Sequence, residues 1–158
     1  MTSVLSRWQL RDTCTTLSSA GLIRLVSEID DHGAIPTRAL ARTLADLSAH
    51  QLRQAVEKAD TFGLLARAPG GVGLSTVGRE LADVYDATAR WARRNNYPAA
   101  ESDFSERIRH TFALLGTSTT DTPDPEGEHD AELGRVERLI TEWVHASQRT
   151  HSTHGVAA

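Results

Sequence analysis

The chain has 158 residues, of which 39% are hydrophobic and 5% aromatic, and it has a single cysteine, which excludes an internal disulfide and favours one compact domain with additional helices. No segment approaches the roughly 18 consecutive apolar residues of a membrane span, and the first residues lack the apolar core of a signal peptide, so we expect a cytoplasmic protein without a membrane partner. The formal net charge is −4, but the charges are unevenly distributed. Residues 37–97 carry nine basic and six acidic side chains, whereas residues 98–158 carry five basic and eleven acidic ones. If the chain binds a polyanion, we therefore expect the middle of the chain to contact it.

Two helical patterns precede the first proline. Residues 4–12 are predicted to form a short helix with Val4, Leu5 and Trp8 on one side. A second helical pattern runs through Leu17, Leu22, Leu25, Val26 and Ile29. Gly33 is expected to end this second helix, because glycine adopts the left-handed conformation without steric cost.

A helix-turn-helix is predicted next. A short helix at 38–45, which Thr37 can cap, and a longer helix at 48–62 are separated by a tight turn. Ser48 and Gln51 have the spacing of a capping box, in which each side chain bonds a backbone N–H of the first turn. The predicted inward positions are Leu40, Ala41 and Leu44 on the first helix, and Leu52, Val56 and Ala59 on the second.

The remainder of the chain reads as a hairpin followed by further helices. Residues 64–67 and 72–75 are predicted strands about a Pro/Gly turn, and Thr76 is the predicted cap of the next helix. Two more amphipathic helices are predicted at 102–115 and 131–149. The chain is therefore divided into an arm at 1–12, a domain at 13–97, a further helix at 98–116, a flexible acidic linker at 117–130, a C-terminal helix at 131–150 and a tail at 151–158.

This order of elements resembles the winged helix-turn-helix transcriptional regulators. Residues 37–94 are similar to the MarR and HxlR families. The similarity lies in the apolar spacing of the two helices, in Phe62-Gly63-Leu64-Leu65 before the hairpin, in the stretch from Gly73 to Leu81 after it, and in Trp91. The resemblance implies a mainly α fold with a small β-wing, and a bacterial transcription regulator. Some HxlR members use a cysteine to sense oxidants. This role is not assigned to Cys14, because Cys14 lies too close to the first helical stripe to align with that cysteine.

A DNA interface is expected on the second helix of the pair, because such a helix enters the major groove and its N-terminal side chains reach base edges. Gln54 suits adenine, Arg53 suits guanine, and Gln51 is partly engaged by its own capping box. Arg38 and Arg42 suit phosphate contacts. The candidate DNA-contacting residues are Arg38, Arg42, Ser48, His50, Gln51, Arg53, Gln54 and Arg67. An ordinary solvated polar surface is the alternative interpretation.

A homodimer on a palindromic operator is the predicted assembly, because two-fold pairing doubles a small set of contacts. The predicted dimerisation helices are those at 4–12, 102–115 and 131–149. Their apolar stripes carry more apolar surface than one small winged domain needs to cover its own core. Trp8, Trp91 and Trp143 each lie on such a stripe and are interpreted as core or interface residues. A pocket between the helix that follows the hairpin and the terminal helices would let a small-molecule effector act, but no polar cluster identifies ligand-binding residues.

An enzyme is not expected. The sequence lacks G-x-S-x-G, H-E-x-x-H and a glycine-rich phosphate loop, and we predict no cofactor and no metal. Two other functions stay open: a winged-helix protein–protein interaction module without DNA binding, and a stand-alone dimerisation domain like that of small-molecule O-methyltransferases. The salt dependence of binding distinguishes these two functions from DNA binding, because binding to phosphates weakens steeply as the salt concentration rises.

Overall fold

The computed structural model describes residues 5–117 and 128–154 and confirms a mainly helical fold with a small antiparallel sheet. The helices are α1 Arg7–Leu17, α2 Ala20–His32, α3 Leu40–Thr43, α4 Ala49–Thr61, α5 Thr76–Arg94, α6 Phe104–Thr117 and α7 Glu128–His154, with a 3₁₀ turn at Thr37–Ala39. Strands β1 Leu65–Ala68 and β2 Gly71–Leu74 pair with Leu65 opposite Leu74 and Ala68 opposite Gly71. Among the described residues, no helix is long and apolar enough to cross a membrane.

The first two helices meet at a pair of serines. Ser6 begins α1 with a capping box, so α1 starts later and ends later than the predicted helix at 4–12. Ser19 caps α2 by accepting a hydrogen bond from the backbone N–H of Leu22 at 3.4 Å. Leu17 therefore ends α1 instead of beginning the second helix, whereas Gly33 ends α2 as predicted, with φ of 85°.

Two other helix starts differ from the sequence prediction. Ser75, not Thr76, caps α5, because its hydroxyl accepts from the Gly78 N–H at 3.1 Å. Asp103 caps α6, since its carboxylate accepts from the Glu106 N–H at 2.8 Å. The predicted linker lies mostly outside the described residues, since 118–127 are not described; the last four tail residues also lie outside them.

The hydrophobic core joins the N- and C-terminal helices to the central ones. α6 packs on α1 and α5, and α7 packs on α5. The Trp143 indole is buried and donates to the backbone oxygen of Val77 at 3.0 Å. The stripes of α6 and α7 bury Ile108, Phe112, Leu115, Val136, Ile140 and Trp143 within the protomer. These apolar faces are therefore covered without a second copy, and they no longer argue for a dimer.

The three tryptophans have different environments. Trp91 and Trp143 are buried in the core, as predicted. Trp8 is 73% exposed, so it is not a core residue, and its alternative placement at an interface stays a prediction. The inward face of α1 is formed instead by Leu10, Cys14 and Leu17, which lie at a different angle around the helix.

Candidate nucleic-acid interface

Helix α4 is held against α2 at a close crossing of small residues. A Cβ at Gly21 would lie 3.3 Å from both Ala55 Cβ and the backbone oxygen of Gln51. Ala55 and Ala59 are fully buried, whereas Leu52 and Val56 are only half-buried. The predicted inward stripe was therefore rotated: the side chains nearest α2 are alanines, because the backbones approach too closely for larger groups. The opposite face of α4 is left open to solvent.

Three of the predicted DNA-contacting residues lie on that open face. His50, Arg53 and Gln54 are all exposed, and the i, i+3 and i+4 spacing places them together. Among the described residues, none of their side chains has a hydrogen-bond or ion-pair partner. The three groups are consequently available to an external ligand.

The start of α4 is fixed by the capping box that the sequence predicted. The Ser48 hydroxyl accepts from the Gln51 N–H at 3.1 Å, and the Gln51 side-chain oxygen accepts from the Ser48 N–H at 2.9 Å. Both residues are exposed, but these bonds orient their side chains toward the backbone. They therefore hold the helix start, and His50 and Gln54 are better placed for outside contacts.

An ion pair connects the turn between α3 and α4 to α2. Arg24 Nε donates to Asp46 Oδ2 at 3.0 Å, and the same guanidinium pairs with Glu28. The Arg24 guanidinium holds the pKa of the Asp46 carboxyl below its usual range. Because 22 residues separate Arg24 from Asp46, no local pattern could have indicated the contact.

The two predicted phosphate contacts lie on different elements. The predicted helix at 38–45 is a 3₁₀ turn carrying Arg38, followed by a single α-helical turn carrying Arg42. The predicted helix at 38–45 is therefore shorter than expected and begins as a 3₁₀ turn that leads directly into α3. Both side chains are nevertheless exposed, on the segment that precedes α4.

The hairpin is joined to the segment before α3. Ile35 and Val72 exchange two backbone hydrogen bonds, at 3.0 and 2.8 Å. Gly71 makes this approach feasible: its φ is 134°, and a Cβ there would lie 2.3 Å from the Ile35 oxygen. Arg67 is exposed and is the only charged residue of the two strands. The hairpin thus has a fixed position but a nearly neutral surface.

A strongly acidic cavity of about 540 Å³ lies between α2, α5 and α6. Burial first, and neighbouring aspartates second, raise the pKa of Asp30 and Asp86. The aspartates that line the cavity are Asp30, Asp31, Asp46, Asp86 and Asp103. This surface would repel a polyanion, so the open face of α4 is the better candidate for DNA.

Cys14 does not contribute reactive chemistry. Its side chain is buried, and burial, with a smaller effect of Glu137, raises the pKa of the thiol to about 12. Because the thiolate is the reactive form, we expect a chromogenic aromatic disulfide to leave the native protein unlabelled over a time in which it titrates one thiol in denaturant. Rapid labelling of native protein would contradict this prediction.

No family model, curated protein sequence or solved structure matches this chain. The resemblance to winged helix-turn-helix regulators therefore rests on the residues themselves. The geometry brings His50, Arg53 and Gln54 together and places Arg38, Arg42 and Arg67 on flanking exposed segments.

Proposed function

We propose that this chain is a winged helix-turn-helix transcription regulator that binds double-stranded DNA with α4 in the major groove. The observation that carries the proposal is the open face of α4, where His50, Arg53 and Gln54 are exposed and unpartnered among the described residues. The opposite face is anchored on α2 through Ala55. A rigidly held helix with free polar side chains suits recognition of base edges.

The side-chain chemistry of this face matches base recognition. A glutamine amide can pair with N6 and N7 of adenine, and a guanidinium with O6 and N7 of guanine. Gln54 and Arg53 offer these two groups on adjacent positions, and His50 lies one turn earlier, nearer the helix start. We infer that these three side chains read the operator, while the capping box of Ser48 and Gln51 sets the start of the helix.

The elements around α4 supply the phosphate contacts in this proposal. Arg38 and Arg42 precede α4, and Arg67 lies on the hairpin that acts as the wing. The order of the elements supports a winged arrangement. A helix is followed by Ile35, which pairs with the hairpin, and then by the helix-turn-helix, the hairpin and a further helix. One protomer offers few cations, so a homodimer on a palindromic operator would give the affinity that one protomer lacks.

Fluorescence anisotropy of a labelled duplex tests this function. The duplex is taken from DNA upstream of the gene that encodes the chain, and the titration is done at low and at physiological salt. We expect Arg53→Ala or Gln54→Ala to weaken binding by about tenfold or more, and Arg42→Ala to reduce the salt dependence of binding. Arg138→Ala, an exposed arginine on α7, is the matched control and should bind like the wild type.

The result that would overturn the proposal is an absence of binding, at low salt, to this duplex and to mixed genomic fragments. Light scattering then separates the rivals. A stable dimer without DNA affinity would favour the stand-alone dimerisation domain. A monomer without DNA affinity would favour a winged-helix module that binds another protein.

A further inference from the structure

We propose that the cleft between α1 and α6 binds an organic anion with an apolar body, such as an aromatic or aliphatic carboxylate or sulfonate. The cleft encloses about 430 Å³, which lies within the range of about 300–1,000 Å³ of small-molecule sites. This site is separate from the open face of α4, and its occupancy does not depend on DNA binding.

The base of the cleft is apolar. Cys14 and Phe112 lie beneath it and are almost wholly covered, with 2% and 0% of their surface exposed. Ala113 and Gly116 complete the α6 side. A Cβ at Gly116 would lie 3.5 Å from Arg11 Cγ, so at this position α6 packs against the aliphatic part of the Arg11 side chain. Such a surface suits the hydrocarbon part of a ligand.

The rim of the cleft is basic. Arg11 on α1 and Arg109 on α6 both line it, together with the His110 imidazole. All three side chains are exposed. In the part of the chain that the structure describes, no carboxylate pairs with either guanidinium. Two uncompensated guanidinium groups at one cleft favour a carboxylate or sulfonate, which accepts charge-assisted hydrogen bonds from them.

The hydroxyl groups of the cleft have no proton left to donate to a ligand. Thr15 donates its proton to the backbone oxygen of Arg11 at 2.9 Å, and Thr117 donates to that of Ala113 at 3.0 Å. Ser18 likewise donates to the backbone oxygen of Cys14. Since these hydroxyl protons are already used, the donors left for an anion are the guanidinium and imidazole groups at the rim.

An exposed indole lies on the same helix as this rim. Trp8 precedes Arg11 by three residues, which places the two on one side of α1. A side chain this large and 73% exposed offers apolar surface on the Arg11 side of the helix. Because Trp91 and Trp143 are buried, the fluorescence of Trp8 is expected to change most when a ligand binds on this side of α1.

Anilinonaphthalene sulfonate, an aromatic anion with a fluorescent body, is a suitable probe. We expect the full chain to bind it with one-to-one stoichiometry and a change in Trp8 emission. The Arg11→Ala, Arg109→Ala double variant should bind at least tenfold more weakly. Gly116→Leu keeps both charges but fills the cleft, and should weaken binding similarly. The Arg135→Ala, Arg138→Ala double variant on α7 removes two exposed positive charges as well; it is the charge-matched control and should leave binding unchanged.

Competition separates the anion site from a general apolar surface. Octanoate should displace the probe, whereas octanol at the same concentration should not. Equal probe binding by wild type, the double variant and the filled variant would overturn the proposal, as would equal displacement by octanol. If Gly116→Leu shows reduced helicity, Ala113→Phe fills the cleft from an exposed α6 position and replaces it. None of these outcomes depends on whether the chain binds DNA.

Discussion

Gly78→Ala is expected to lower the free energy of unfolding by about 3 kcal/mol, a large effect for one methyl group. Gly78 lies in the first turn of α5, and a Cβ there would lie 2.2 Å from the backbone oxygen of Leu64 and 3.1 Å from its carbonyl carbon. No rotamer change can relieve this overlap, because every atom involved belongs to the backbone or is a Cβ. Either α5 or Leu64 has to move.

Leu64 cannot move without disturbing its neighbours. Its side chain is fully buried. Its oxygen accepts from the Ser75 N–H at 2.8 Å, and its own N–H donates to the oxygen of Ala59 at 2.8 Å. Leu64 thus connects the end of α4, the beginning of the hairpin and the cap of α5. A shift there would also displace α4, so we expect DNA binding by Gly78→Ala to weaken together with stability.

Urea unfolding followed by circular dichroism measures this loss. Gly134→Ala is the matched control, because Gly134 is exposed within α7 and a Cβ there would meet nothing within 4 Å. That change should stabilise the chain by up to about 1 kcal/mol, since alanine favours a helix over glycine. An unchanged unfolding midpoint for Gly78→Ala would show that α5 does not approach Leu64 this closely.

The local features of the fold were predictable from the sequence. The Ser48 and Gln51 capping box, the glycine that ends α2 and the Pro69-Gly70 turn were found correctly, because each depends on residues a few positions apart. The two strands were placed to within one residue, since the apolar stretches on either side of the turn bound them. These signals act within one or two turns of chain and need no tertiary partner.

The tertiary features were not predictable, because their partners are remote in sequence. Periodicity marks an amphipathic face, but it does not say which neighbour covers that face, so it left open whether Trp8 lies in the core or at an interface. The rotation of α4 follows from the close approach of Gly21, which no pattern on α4 itself reveals. The candidate interface was identified only as a set of polar positions. The cleft between α1 and α6 was missed, since Arg11 and Arg109 belong to helices far apart in the chain.

Arg107 illustrates the same limit with a larger energetic consequence. In the sequence Arg107 is one basic residue among many, yet in the structure it is buried, with 7% of its surface exposed. Its Nη1 donates to the oxygens of Ala92 at 3.1 Å and Tyr97 at 3.0 Å. Nη2 and Nε donate to the oxygens of Ala100 and Ser102, each at 3.1 Å. One guanidinium therefore organises the connection between α5 and α6.

Arg107→Leu is expected to cost about 3 kcal/mol of unfolding free energy, because it removes all four guanidinium hydrogen bonds and takes this donor from the partly buried oxygens of Tyr97, Ala100 and Ser102. Urea unfolding measures the loss, with exposed Arg109→Ala as the control that should change little. Arg107→Lys decides the cause. An ammonium keeps the charge beside the last turn of α5, where a cation is favourable, but it lacks the planar set of donors. If the four directed hydrogen bonds stabilise the connection, lysine should recover less than half of the loss. If lysine restores full stability, a positive charge alone is sufficient. The connection between α5 and α6 is then stabilised by the interaction of that charge with the end of α5, and not by the geometry of the guanidinium.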